Sequence, residues 1–116
     1  MSIQSIAKEV VQELERAEAK FGPFNSSHEG YAVILEELDE LWEVVKLNPK
    51  KIAVSSEEIE EIVPLQSPVL DDEEKIKTAV DFIQKHKRNQ AMRAEAIQVA
   101  AMAIRFIKCI CDEESE

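Results

Sequence analysis

The sequence predicts an all-α domain. Apolar residues recur at three- and four-residue spacing through most of the chain, and no segment alternates apolar and polar at the period of a strand. Only two glycines and four prolines interrupt the 116 residues. A chain of this length is read as one domain, 1–111, followed by an acidic tail, 112–116. It can bury only a small core, so a four-helix bundle completed by oligomerisation is the expected architecture.

Ile3, Ile6, Ala7, Val10, Leu14, Ala17 and Phe21 mark an amphipathic first helix of about five turns. Gly22 and Pro23 end it. Ser26-Ser27-His28-Glu29 is a capping box opening the second helix, with Ser26 accepting from the Glu29 amide and Glu29 reaching back. Its apolar set is Tyr31, Ile34, Leu35, Leu38, Leu41, Trp42 and Val45, and Asn48-Pro49 stops it. Residues 50–70 form an irregular connection, in which Ser55 and Ser56 can start a short helix over 57–63 before Pro64 and Pro68 break the stretch. Asp71-Asp72 caps a third long helix carrying Ile76, Val80 and Ile83. Acids open it and Lys85, His86, Lys87 and Arg88 close it, as the helix dipole favours. A fourth runs from about Asn89 to Cys111. The break between these two is expected near Lys87–Asn89, although no glycine or proline lies between Lys75 and Cys111.

Asp and Glu number 24 against 14 Lys and Arg, a net charge of −10. That balance disfavours nucleic acid and anionic membranes as partners. Two glycines cannot supply a Rossmann or P-loop phosphate turn. No apolar run approaches the ~20 residues that span a bilayer, and Met1–Lys20 is charged and periodic, unlike a secretory signal. Two cysteines, Cys109 and Cys111, cannot frame a disulfide-rich fold. The expected compartment is the cytoplasm.

Helix geometry separates the acids into two kinds. On the second helix Glu36, Asp39 and Glu43 fall on the polar face, whereas Glu37 and Glu40 flank the apolar stripe centred on Ile34. On the last helix Glu95 is centred among Val99, Met102 and Phe106, with Gln98 and Arg105 on the adjoining edge. An unpaired carboxylate in such a stripe costs several kcal/mol and calls for a cation, a basic partner or a raised pKa. Glu37 with Glu40, and Glu95 with Gln98, share a three-residue spacing. Packed face to face, these helices bring together three carboxylates and an amide oxygen, a hard-oxygen set suited to Mg²⁺ or Mn²⁺. Acid pairs at this spacing are also common on solvated helices, and Glu37 and Glu40 can alternatively pair with Arg93, Arg105 or Lys46.

The segments His28-Glu29-Gly30-Tyr31-Ala32-Val33-Ile34-Leu35-Glu36-Glu37-Leu38-Asp39-Glu40-Leu41-Trp42 and Arg93 to Phe106 resemble the MazG-like all-α nucleoside triphosphate pyrophosphohydrolases. That family carries EExxE on one helix and ExxD on another. Glu36, Glu37 and Glu40 match the first pattern. Glu95 matches the second, with Gln98 where Asp is expected. The resemblance implies a four-helix bundle assembled as a homodimer or homotetramer. It also implies Mg²⁺- or Mn²⁺-dependent hydrolysis of (deoxy)nucleoside triphosphates to monophosphate and pyrophosphate, often in nucleotide house-cleaning. Glu36, Glu37, Glu40, Glu95 and Gln98 would be the metal ligands, with Glu37, Glu40 and Glu95 catalytic. Arg93 is the favoured phosphate ligand, with Lys87, Arg88 and His28 as further substrate-binding candidates. The alternative is a helical oligomer of weak or no activity, serving as a nucleotide-binding or protein-interaction module.

Overall fold

The structure is a computed structural model that describes residues 2–112. Its described residues contain four α-helices and no strand: α1 (Ile3–Phe21), α2 (Ser27–Val45), α3 (Ser56–Ile62) and α4 (Asp72–Phe106). None is long and apolar enough to cross a membrane. The helices number four, but they are not the four expected. The break near Lys87–Asn89 is absent, and α4 runs unbroken for 35 residues. With no glycine or proline to interrupt the ladder, the basic cluster alone does not end a helix. Of the acidic tail, only Asp112 lies within the described residues. The chain divides into two compact units, Met1–Glu43 with Arg93–Glu116, and Val44–Met92.

In the first unit Ser2 caps α1, its hydroxyl accepting from the Ser5 amide at 3.1 Å. Val10, Leu14 and Ala17 form the buried face of α1, spaced at four and three. Gly22 ends the helix with φ +72°, a left-handed conformation that glycine adopts without side-chain strain, and its N–H donates to the Glu18 carbonyl at 2.9 Å. Phe24 folds inward and joins Val10, Leu14, Ala17, Ala101 and Met102 in the core. The expected capping box at α2 is half formed. Ser26 Oγ accepts from the Glu29 amide at 3.1 Å, but the Glu29 carboxylate reaches Asn25, accepting from its backbone N–H at 3.2 Å and its Nδ2 at 3.0 Å.

The α2 stripe is rotated from its expected position. Gly30, Val33, Ile34, Glu37, Leu41 and Val44 are buried or half-buried, while Tyr31, Leu35, Leu38, Trp42 and Val45 are exposed. The inward face therefore centres near Glu37, about 60° from Ile34. The cause is Gly30. A Cβ there would stand 2.6 Å from Phe106 Cδ2 and 3.1 Å from Phe24 Cδ2, so only glycine admits both rings. Gly30→Ala is expected to destabilise the protein by about 1–2 kcal/mol in urea titration, because overpacking against two rings outweighs the gain of about 1 kcal/mol in helix propensity.

In the second unit Asn48 caps a short 3₁₀ turn, Pro49–Lys51, with Oδ1 accepting from the Lys50 amide at 3.0 Å. Ser55 and Glu58 form a complete capping box on α3. Asp71 caps α4, its Oδ1 accepting from the Glu74 amide at 2.8 Å. Within this unit, Ala79, Ile83 and Gln84 are the buried residues of α4. Three polar side chains of α4 then hold the 45–53 connection by its carbonyls. Gln84 Nε2 donates to Ile52 O at 3.0 Å, Lys87 Nζ to Ala53 O at 2.9 Å, and Arg88 Nε to Leu47 O at 3.2 Å.

Lys87 also pairs with Glu58 at 2.8 Å. That ion pair, with the Ser55 amide and hydroxyl, holds the Glu58 carboxyl down to about 2. A depressed carboxylate contributes stability above its unfolded value near 4.5 and loses it as pH falls toward its folded value. The melting temperature of Glu58→Gln is therefore expected to fall less steeply than that of the unsubstituted protein between about pH 4.5 and 2.

Candidate functional site

Three carboxylates from two helices of the first unit meet. Glu37 and Glu40 project from adjacent turns of α2, Glu95 projects from α4, and one oxygen of each lies within 4.8 Å of the others. Because α2 turns its Glu37 edge inward, this acid is nearer the centre of the buried face than a stripe on Ile34 places it. Glu37 and Glu95 are half-buried and Glu40 is exposed. Glu37 Oε2 and Glu95 Oε2 are buried with no hydrogen-bond partner among the described residues. Burial, then the charge of Glu40, pushes the Glu37 carboxyl up to about 7. The same two causes raise Glu95.

Like charges this close, with two oxygens lacking donors, are offset by a shared proton or by a cation. Oxygens around an octahedral Mg²⁺ at about 2.1 Å stand about 3.0–4.2 Å apart, within small side-chain rotations of the observed spacing. The donor set is entirely oxygen, which suits a hard cation such as Mg²⁺ or Mn²⁺ and lacks the Cys and His ligands of a soft-ligand zinc site. On donor chemistry, spacing and orphaned atoms, Glu37, Glu40 and Glu95 fit a divalent cation.

The other candidates are differently placed. Glu36 is exposed and adds its charge to the surroundings of Glu37. Gln98 stands beside Glu13, whose carboxyl it helps to lower after Arg16, which grips it. Arg93 pairs with Glu9 through both guanidinium nitrogens. Lys87 and Arg88 are committed to the connection carbonyls of the second unit. His28 is exposed in the first turn of α2. Cys109 and Cys111 are free thiols.

The sequence reading missed a cavity of about 540 Å³ beside the acids, bordered by Arg16 and Lys20 of α1, Glu36 and Glu37 of α2, and Gln98 and Arg105 of α4. Arg16 is close enough to Glu37 to be affected by its charge. Arg105, expected on an edge, is only 4% exposed. The available signals were Arg16 and Lys20 at a four-residue spacing on α1, and Arg105 as the one base between Ala94 and Ile107. No family model, curated protein or solved structure matches this chain.

Proposed function

We propose that the protein is a Mg²⁺- or Mn²⁺-dependent nucleoside triphosphate pyrophosphohydrolase of the MazG-like kind, acting in cytoplasmic nucleotide house-cleaning. The observation that carries this reading is the convergence of Glu37, Glu40 and Glu95 with two buried oxygens left without donors. The three carboxylates would hold the cation, which when bound neutralises phosphate charge at the scissile α–β linkage. The chain's own part is to fix that charge against a half-buried wall and to keep the substrate's phosphates in register with it.

The oligomer in this proposal is supported by the outer edge of α2. Tyr31, Leu35, Leu38 and Trp42 follow the four-three-four spacing of a helix-pairing seam, and Trp42 is 58% exposed. A second copy of the chain, dimeric or tetrameric, is the occupant proposed for it.

The test is incubation with a panel of (d)NTPs and Mg²⁺ or Mn²⁺, with the products separated. Stoichiometric monophosphate and pyrophosphate are expected. Monophosphate arising only through a diphosphate, or no turnover in any combination, overturns the reading. The second reading, a helical oligomer that binds nucleotide or protein without turnover, is favoured by Gln98, a neutral amide that stands toward Glu13 and brings no charge to the acid cluster. Cation-dependent nucleotide binding without product is the result that selects it.

A further inference from the structure

We propose that the cavity beside the acid cluster receives a phosphate chain, held by Arg105 at its base and by Arg16 and Lys20 at its rim. This assignment rests on the pyrophosphohydrolase reading and gives that site its anion-binding side chains.

Arg105 is the first observation. It is almost wholly buried, and among the described residues no carboxylate pairs with it. Its guanidinium lies 3.9 Å over the Phe24 ring, and Nη2 donates to the Gly22 carbonyl at 2.6 Å. The Nε–H is buried without an acceptor. A buried cation without a counter-ion is costly, and two aromatic faces, the Met102 sulfur and one carbonyl, all uncharged, offset only part of that cost. This side chain lines the cavity, where an anion would complete its partners.

The rest of the wall agrees. Lys20 and Arg16, the latter paired with Glu13 outside the cavity lining, add cationic groups to the rim. Of the acids there, Glu29 is committed to Asn25, and Glu37 belongs to the proposed cation cluster. A free anion would meet Glu36 and Glu37 unfavourably, whereas an anion carrying a divalent cation meets them favourably. A polyphosphate is the ligand chemistry that satisfies both walls at once. Phe21, Val33 and Met102 line the remaining apolar part, which has room for the organic end of a nucleotide.

The experiment is calorimetric titration of the folded protein with inorganic pyrophosphate at saturating Mg²⁺. Because Arg105 also supports the turn at Gly22, exposed Arg16 and Lys20 are the test positions. Arg16→Gln and Lys20→Gln are each expected to weaken pyrophosphate about five- to tenfold, while Lys8→Gln, an equal charge change elsewhere on α1, leaves it unchanged. No pyrophosphate binding by the folded protein, or equal weakening by all three variants, overturns the assignment. Turnover with unaltered binding in Arg16→Gln and Lys20→Gln overturns it and leaves the enzyme reading standing. Selective loss of pyrophosphate binding in a protein without turnover sustains it and removes the enzyme reading.

Discussion

Glu95→Gln is expected to lower triphosphate cleavage by on the order of 10²–10³-fold and, in metal-free buffer at pH 8, to raise the melting temperature. Both effects have one cause. A half-buried carboxylate beside Glu40, with an orphaned oxygen, is unfavourable in the empty fold and useful only when a cation is present. Glu37→Gln should behave alike, and here the pH window is defined. Its folded value of about 7 lies above the ordinary carboxyl value of 4.5, so the folded state binds the extra proton between these limits. Stability from this group is greatest below about 4.5, declines as pH rises through 7, and the full penalty is present above. The shift alone corresponds to about 3 kcal/mol, and solvent screening at this half-exposed site reduces the expected gain from Glu37→Gln to about 1–2 kcal/mol at pH 8. Scanning fluorimetry with chelator and then with Mn²⁺ checks both parts. The unsubstituted protein should gain stability with Mn²⁺, more strongly at pH 8 than at pH 6, and the Gln variants should gain little. An equal Mn²⁺ response in all three proteins contradicts the cluster as the binding site.

Leu14→Ala is expected to cost about 3 kcal/mol and to lower the melting temperature by about 10–15 °C. Leu14 is 6% exposed and belongs to a core of few large side chains, so the hole left by truncation has little around it to collapse inward. Leu38→Ala is the informative contrast. Periodicity ranks Leu38 with Ile34 in the α2 stripe, yet it is 44% exposed. Its truncation should cost less than about 1 kcal/mol of fold stability. If α2 pairs with a second copy, the same change weakens that pairing, which sedimentation measures directly. A large loss of stability in monomeric Leu38→Ala would instead put the inward face of α2 back on Ile34.

These residues show what was legible in the sequence and what was not. Helix class, the caps at Ser26, Ser55 and Asp71, and the stops at Gly22 and Asn48-Pro49 follow from local chemistry; Ser26, Ser55 and Asp71 each accept the expected amide, although Glu29 turns to Asn25 instead of completing its box. The approach of Glu37, Glu40 and Glu95 follows from two three-residue spacings on apolar helices. What failed was rotation about the helix axis. A wheel drawn from side-chain hydrophobicity weights Tyr31 and Trp42 heavily and Gly30 hardly at all, whereas the packed helix turns toward the residue that lets two rings approach. Arg105 was misplaced for the same reason, since a guanidinium stacked on Phe24 counts as apolar surface in the fold and as charge in the sequence. Lys87 and Arg88 invited a reading as phosphate ligands or as helix-end charges, and both instead satisfy carbonyls more than thirty residues earlier in the chain.

That last arrangement bears on how the second unit comes apart. The 45–53 connection has little regular structure of its own, and its carbonyls are satisfied from outside by three side chains spaced over little more than one turn of one helix. Its opening cannot be independent of fraying in the middle of α4. Loop and helix thus form a single foldon, and amide exchange along both should proceed at one common opening free energy.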